Sequence, residues 1–357
     1  LGCEQRKQSD SYRLPDHQSK LQSVRSHQLR DRVGLCQWFH YEAYTDLKRT
    51  IALLQDLGIR HLRTGISWAD YLRPNGQAWY DWQMQQLHAA GFHILLSVWH
   101  TPPSLAEGGK SNHPPRRLRD YADFIDLVIT RYGHQFAELE LWNEPNNRYK
   151  WNFVEHDPDW RKFANMLVDA AYWAKALGKT TVLGGMSPVD HHWLDRLRAY
   201  HALEHIDIIS IHAFPEMWWD DAPNWEWYSH WRGWRHKLAY ITQHAEGRPV
   251  WVTETGLATW DMTTAAPGHY HLQVEQLEKA LTAPVERLYW YSAVDLAPYR
   301  AAIEGFHVDE NEYHMGLVSW GGKKKPAYRR LRELLQERPA KATSNCDKRQ
   351  ENTLDPL

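Results

Sequence analysis

The sequence predicts an α/β protein of one domain, a (β/α)8 TIM barrel. Three observations predict it. Short apolar runs alternate with helically spaced stretches eight times over residues 32–337. Glycine closes most of the helical stretches, as expected of a left-handed C′ residue. Polar and ionisable side chains collect where the apolar runs end, which in a barrel is the reactive face. Eight such units in about 300 residues fit a barrel whose typical length is about 250. An open doubly wound sheet would advertise a glycine-rich phosphate loop after an early strand, and the sequence has none.

Taken in order, the first strand is expected over 33–39 and is followed by helical spacing over 44–57 (Leu47, Ile51, Leu54) that stops at Gly58. A second strand over 61–67 leads to a helix over 80–90, closed by Gly91. The run His-Ile-Leu-Leu-Ser-Val-Trp over 93–99 is the third strand, and a helix over 118–132 ends at Gly133. The fourth strand, 136–142, breaks off at Asn143-Glu144-Pro145, where proline cannot donate to a ladder. A helix over 160–177 ends at Gly178. The second half repeats the rhythm: strands over 181–184, 206–214, 249–253 and 287–293, helices over 192–205, 231–244, 271–281 and 328–335. Residues 1–31 read as a polar N-terminal arm and 338–357 as a polar C-terminal tail, outside the barrel of 32–337.

Composition narrows the function classes. A formal net charge of −2 argues against a nucleic-acid or anionic-membrane surface. No run is long and apolar enough to span a bilayer. Three cysteines make no disulfide framework; Cys36 is expected as a buried thiol, while Cys3 and Cys346 fall in the polar ends. No secretory leader is legible, so the cytoplasm is expected unless a leader has been removed. The 20 tryptophans are the unusual entry in the composition. Indole offers a flat apolar face with a polar edge, which matches a sugar ring and suits a carbohydrate partner, although most of the tryptophans are expected to fill the core and the seams between helices and barrel.

Two acids stand at strand ends on opposite sides of the expected ring, Glu144 after strand four and Glu254 after strand seven. Glycosidic cleavage passes through an oxocarbenium-like state and needs a proton donor on one side and a carboxylate on the other. The expected roles are acid/base for Glu144 and nucleophile for Glu254. Asn143 would hydrogen-bond the sugar 2-hydroxyl, Arg63 would keep Glu254 ionised, and Trp290 would floor the sugar. His100 and His212 sit at the ends of strands three and six. Strand alternation implies that Asn143 and Glu144 cannot both point into the barrel unless one lies beyond the last ladder bond.

The Trp-Asn-Glu-Pro element at 142–145, with Thr-Glu-Thr-Gly at 253–256, resembles the clan A glycoside hydrolases. The frame of Arg63, His100, Asn143, Glu144, His212, Glu254 and Trp290 is similar to family 5, and Leu141 to Asn146 looks like family 39, which contains β-xylosidases. The resemblance implies a retaining mechanism and an exo-acting β-xylosidase or β-glucosidase. At strand six this chain has His212-Ala213-Phe214 where family 5 has His-x-Tyr. A transglycosylase using the same covalent intermediate, or a catalytically inactive carbohydrate-binding barrel, are the alternatives; turnover of an aryl glycoside separates the second from an enzyme.

The stretch after strand six carries Trp218, Trp219, Trp225 and Trp227; Trp218 and Trp219 are expected either to stack a second sugar or an aglycone, or to pack the sixth helix onto the barrel. The long stretch 101–115 after strand three, with Gly108 and Gly109, is expected either as a lid or as a tolerated insertion. No cofactor is called for. No metal site is expected either, because the 22 histidines form no HExxH and no HxH ends the first strand.

Overall fold

The computed structural model describes residues 16–24, 26–215, 233–300 and 310–336. Eight parallel strands form the wall: β1 Val33–Cys36, β2 His61–Ser67, β3 His93–Trp99, β4 Glu138–Leu141, β5 Thr180–Leu183, β6 Ile209–His212, β7 Val250–Thr255 and β8 Leu288–Tyr291. Their hydrogen-bonded order is β5-β4-β3-β2-β1-β8-β7-β6. Parallel bridges Val182–Ile208 and Met186–Ile211 join the two ends and close the ring. The β2–β3 ladder is the longest, running in register from His61–His93 to Ser67–Trp99.

Helices lie between successive strands because each carries an apolar stripe that the wall buries. The helix Tyr44–Leu57 buries Leu47, Thr50, Leu54 and Leu57, and Gly58 at φ 76° ends it. A left-handed residue there costs an L side chain energy and costs glycine none. The helix Arg161–Ala176 buries a face of Phe163, Ala164, Leu167, Ala170, Ala171 and Ala174, small enough to sit close to its neighbour Arg119–Tyr132. Helix bounds differ from the expected ones by a few residues: Gly76–Ala89 starts four residues early, and His191–Ala199 ends six residues early.

The expected polar arm is partly wrong. From residue 16 the chain forms two helices, Asp16–Ser23 and Ser26–Arg32. Leu21 and Leu29 are buried, and Arg30 donates to Leu335 O at 3.2 Å. Arg32 donates through Nη1 to Ala283 O at 2.5 Å and through Nη2 to Leu281 O. The arm therefore caps the wall just before β1 begins. Two apolar anchors among many polar residues left almost no periodicity to read.

The barrel interior carries a polar layer. Arg63 of β2, Glu140 of β4 and Ser210 of β6 are all fully buried and bonded across the ring. Layers supplied by alternate strands are how such barrels fill their centres. Here the layer is ionic, and it lies directly beneath the strand ends that bear the candidate site.

Candidate active site

Strand four ends at Leu141, one residue earlier than expected. Trp142 then takes φ 76° and Glu144 φ 45°, both in the left-handed region. The turn is held by Trp142, whose ring is fully buried and packs edge-on against Tyr121 and Trp151. Its Nε1 donates to Lys150 O at 3.1 Å, and its backbone N donates to Val98 O. Because the turn breaks the two-residue alternation, Asn143 and Glu144 both reach the centre. The conflict that alternation posed is resolved by backbone geometry that the residue types alone do not specify.

Arg63 organises the floor of the site. Its Nε and Nη2 donate to Glu140 Oε2 at 2.8 and 2.6 Å, and its Nη1 donates to Glu254 Oε1 at 2.5 Å. Nη2 also donates to Asn143 Oδ1 at 2.8 Å, and Nη1 reaches Cys36 Sγ at 3.3 Å. Guanidinium has no acceptor, so the Asn143 atom facing it must be the carbonyl oxygen, which leaves the amide Nδ2 as the donor. Burial alone would lower the Arg63 pKa, but Glu140, Cys36 and Glu254 outweigh it and raise it well above its ordinary value. Burial pushes the Cys36 thiol up, so it stays protonated 3.7 Å from Glu254 Oε1.

His212 joins the two acids. Its Nδ1 lies 2.8 Å from Glu144 Oε1 and 3.5 Å from Glu254 Oε2. One oxygen of each carboxylate and one ring nitrogen lie within 4.8 Å of one another. Burial pushes Glu144 up, yet the bond and charge of His212, then Lys150 and Asn147, hold it down at about 2. Glu144 is thus a carboxylate, and Nδ1 carries the hydrogen of their bond. The imidazole is fully buried, and Gly185 makes room for it: a Cβ on Gly185 would stand 1.9 Å from His212 Nε2.

His100, at φ 64°, is 5% exposed, and its Nε2 has no bonding partner. Burial, with Lys150 adding to it, lowers this imidazole to about 3, so it is neutral and offers a donor or an acceptor to a ligand.

Trp290 does not join this group. It pairs with Leu35 in the β1–β8 ladder, whereas Tyr291 pairs with Cys36, which faces Arg63 inside the barrel. Neighbours in register share a face. Trp290 therefore points outward into the core with no exposed area, and the half-buried ring of Tyr291 faces the site beside Phe214 at 6.3 Å. Three consecutive aromatics on β8 hid the phase of the strand. Trp218 and Trp219 lie outside the described residues. Sequence reasoning gave Glu140 no role, although an acid alternating with leucines in strand four was a usable signal.

The first part of the chain, residues 32–181, matches the model of Glycosyl hydrolase family 1. Over 119 residues it is 27% identical to Beta-glucosidase 17 of Arabidopsis thaliana, a match covering 29% of this chain and 22% of that protein. It is 24% identical over 115 residues to the furostanol glycoside 26-O-beta-glucosidase of Hellenia speciosa, covering 29% of this chain and 20% of that one. The matched stretch is thus about a fifth of the length of these curated relatives. A monomeric beta-xylosidase from Caulobacter crescentus CB15 shares the fold, with TM-score 0.62 and 17% identity over 87% of this chain and 68% of that one. A family 39 glycoside hydrolase from Bacteroides cellulosilyticus WH2 superposes at TM-score 0.57 with 18% identity, covering 87% and 64%. The family match runs from just before β1 into the start of β5, so this part of the chain is similar to Glycosyl hydrolase family 1, on a barrel that carries acids at the ends of β4 and β7.

Proposed function

We propose that this chain is a retaining β-glycosidase that works by double displacement on small β-glycosides. The observation that carries the reading is the spacing of its two acids. Carboxyl groups roughly 5–5.5 Å apart leave room for direct attack, whereas inversion needs a gap wide enough for water. Glu144 and Glu254 present oxygens within 4.8 Å of each other. Exo action on β-xylosides or β-glucosides is the substrate reading; the partial match to two β-glucosidases supports its β-glucoside side.

Glu254 Oε1 is held by Arg63, so Oε2 is the oxygen that attacks the anomeric carbon. The glycosidic C–O bond breaks as the Glu254–carbon bond forms, and Glu144 gives its proton to the departing oxygen. Water, deprotonated by the same Glu144, then cleaves the ester and returns Glu254 to a carboxylate. Asn143 Nδ2 serves the 2-hydroxyl, and Tyr291 lies under the ring in place of the tryptophan expected there.

Glu144 must carry a proton when the leaving oxygen arrives. Burial by itself raises its pKa, and His212 heads the groups that hold it down. A sugar that prises Glu144 away from His212 therefore converts the carboxylate into the acid. The test is an activated 2-deoxy-2-fluoro glycoside followed by peptide mapping. Label on Glu254 is the expected result. Label elsewhere, or none on any sugar that the enzyme turns over, overturns the assignment, and an absence of turnover on all aryl glycosides favours a binding protein.

Gly185→Ala probes the same geometry without touching an acid. The added methyl collides with His212 Nε2, so the ring must move and its bond to Glu144 is lost. Displacements on the order of 1 Å cost roughly 10²-fold in rate, and overpacking costs about 1–3 kcal/mol of stability. The expected result is a fall of that size in kcat/KM on a nitrophenyl glycoside. Unchanged kinetics would mean that His212 is free to relocate at no cost.

A further inference from the structure

We propose that a divalent transition-metal ion of the zinc class binds between His113, Glu155 and His156, on the rim of the barrel and apart from the catalytic acids. One nitrogen of each imidazole and one oxygen of Glu155 lie within 4.8 Å of one another. Two imidazoles and a carboxylate are a common protein donor set for zinc, with a fourth position left to water.

The donors come from two separate segments. His113 lies near the end of the long 101–115 stretch that follows β3. Glu155 and His156 belong to the single-turn helix Phe153–His156 that follows β4. The segments are already tied by Asn152 N donating to Asn112 O at 2.7 Å. His113 is 4% exposed, and its Nδ1 has no bonding partner. That edge of the ring lies against Gly108, where a Cβ would stand 2.1 Å from Nδ1. Its other nitrogen, Nε2, is turned toward Asn152 at 3.4 Å.

Metal-bound histidines usually pair their other nitrogen with a carboxylate or carbonyl, and Glu107 stands close to His156, just beyond hydrogen-bond distance. Its Nδ1 lies 3.6 Å from Glu107 Oε2, and its Nε2 lies 3.8 Å from Glu155 Oε2. Glu107 is itself anchored by Lys162. Four-coordinate zinc with bonds near 2.0 Å wants donors roughly 3.3 Å apart, so the cluster must contract. Glu155 is largely exposed on a short helix and is free to swing inward. The Asn152 amide nitrogen now bonds to both His113 Nε2 and Glu155 Oε2, and an ion would replace those contacts. Its Oδ1 keeps capping Glu155 N.

The position gives the ion a task. Trp151 precedes Asn152 and packs edge-on against Trp142 at 5.2 Å, one residue before Asn143. At the other segment, Thr101 N donates to Ser111 O beside His100. A metal clamp here would brace the loops on both sides of the site.

The experiment is calorimetric titration of this chain without a tag, stripped with chelator, with zinc chloride, paired with melting curves. One saturable equivalent that raises Tm is expected. Glu155→Gln, an exposed change that leaves the fold alone, and His156→Ala should each lose it, and Glu107→Gln should weaken it roughly 10- to 100-fold. Glu144→Gln should keep it. Equal binding in Glu155→Gln, binding lost in Glu144→Gln, or only weak unsaturable uptake spread over the other histidines would overturn the proposal.

Discussion

Glu254→Gln should reduce turnover by roughly 10⁴-fold or more on every aryl glycoside, whatever its leaving group. The amide keeps the shape of the side chain but has no nucleophilic oxygen, so the covalent step has no partner. Glu144→Ala should behave differently. Protonation of the leaving oxygen matters only when that oxygen is a poor leaving group, so glycosides of acidic phenols should lose little in the first step while alkyl glycosides lose about 10²- to 10⁴-fold. Azide should rescue Glu144→Ala and yield the β-glycosyl azide, because the small anion enters the vacated side and needs no base. With Glu254 replaced by glycine, azide should instead yield the α-azide directly. A steady-state comparison across leaving groups, with product stereochemistry by NMR, reads all of this. Equal losses on good and poor leaving groups in Glu144→Ala would remove it from the proton-transfer role.

The variants differ in stability as well. Glu254 carries one of the two carboxylates that answer Arg63. A neutral amide still accepts from the guanidinium, so Glu254→Gln leaves Arg63 paired with Glu140 and the fold intact. Loss of activity without loss of structure is therefore expected for this variant, and circular dichroism separates it from misfolding.

The barrel was legible because its evidence is local and repeated. A helix with apolar residues at turn spacing and a glycine at its end, such as 44–57 with Gly58, can be read from a dozen residues. The positions of Asn143, Glu144, His212 and Glu254 at strand ends followed from the same rhythm, since the end of an apolar run is visible in the sequence. What escaped depended on contacts between distant segments. Whether Trp290 or Tyr291 faces inward is decided by pairing with Leu35 and Cys36, some 250 residues away. The left-handed turn at Trp142 is fixed by packing against Tyr121 and Trp151. Glu140 was printed in plain view within an apolar strand, but its meaning needed Arg63 and Ser210 beside it. An acid inside a barrel strand is interpretable only once its counter-charge is known.

That dependence makes Arg63 the residue whose loss should be felt most by fold and site together. Arg63 and Glu140 are fully buried, and Glu254 nearly so. Arg63→Met has similar length and no charge, so it leaves two buried carboxylates facing each other without a cation. Removing one partner of a buried pair typically costs about 3–5 kcal/mol. A fall of that size in unfolding free energy by urea titration is expected, together with loss of turnover, because Glu254 and Asn143 lose the group that orients them. Arg63→Lys should not restore activity: a single ammonium cannot hold Glu140, Glu254 and Asn143 from one planar fork. The decisive variant is Arg63→Met combined with Glu140→Gln. Neutralising Glu140 removes one of the stranded charges, so part of the stability should return while the enzyme stays inactive. If the double variant is no more stable than Arg63→Met alone, the cost lies in lost packing around Trp38, over whose ring the guanidinium lies at 4.9 Å, and not in charge. If it regains activity, Arg63 is dispensable for orienting the nucleophile, and the ionic layer beneath the strand ends serves the fold alone.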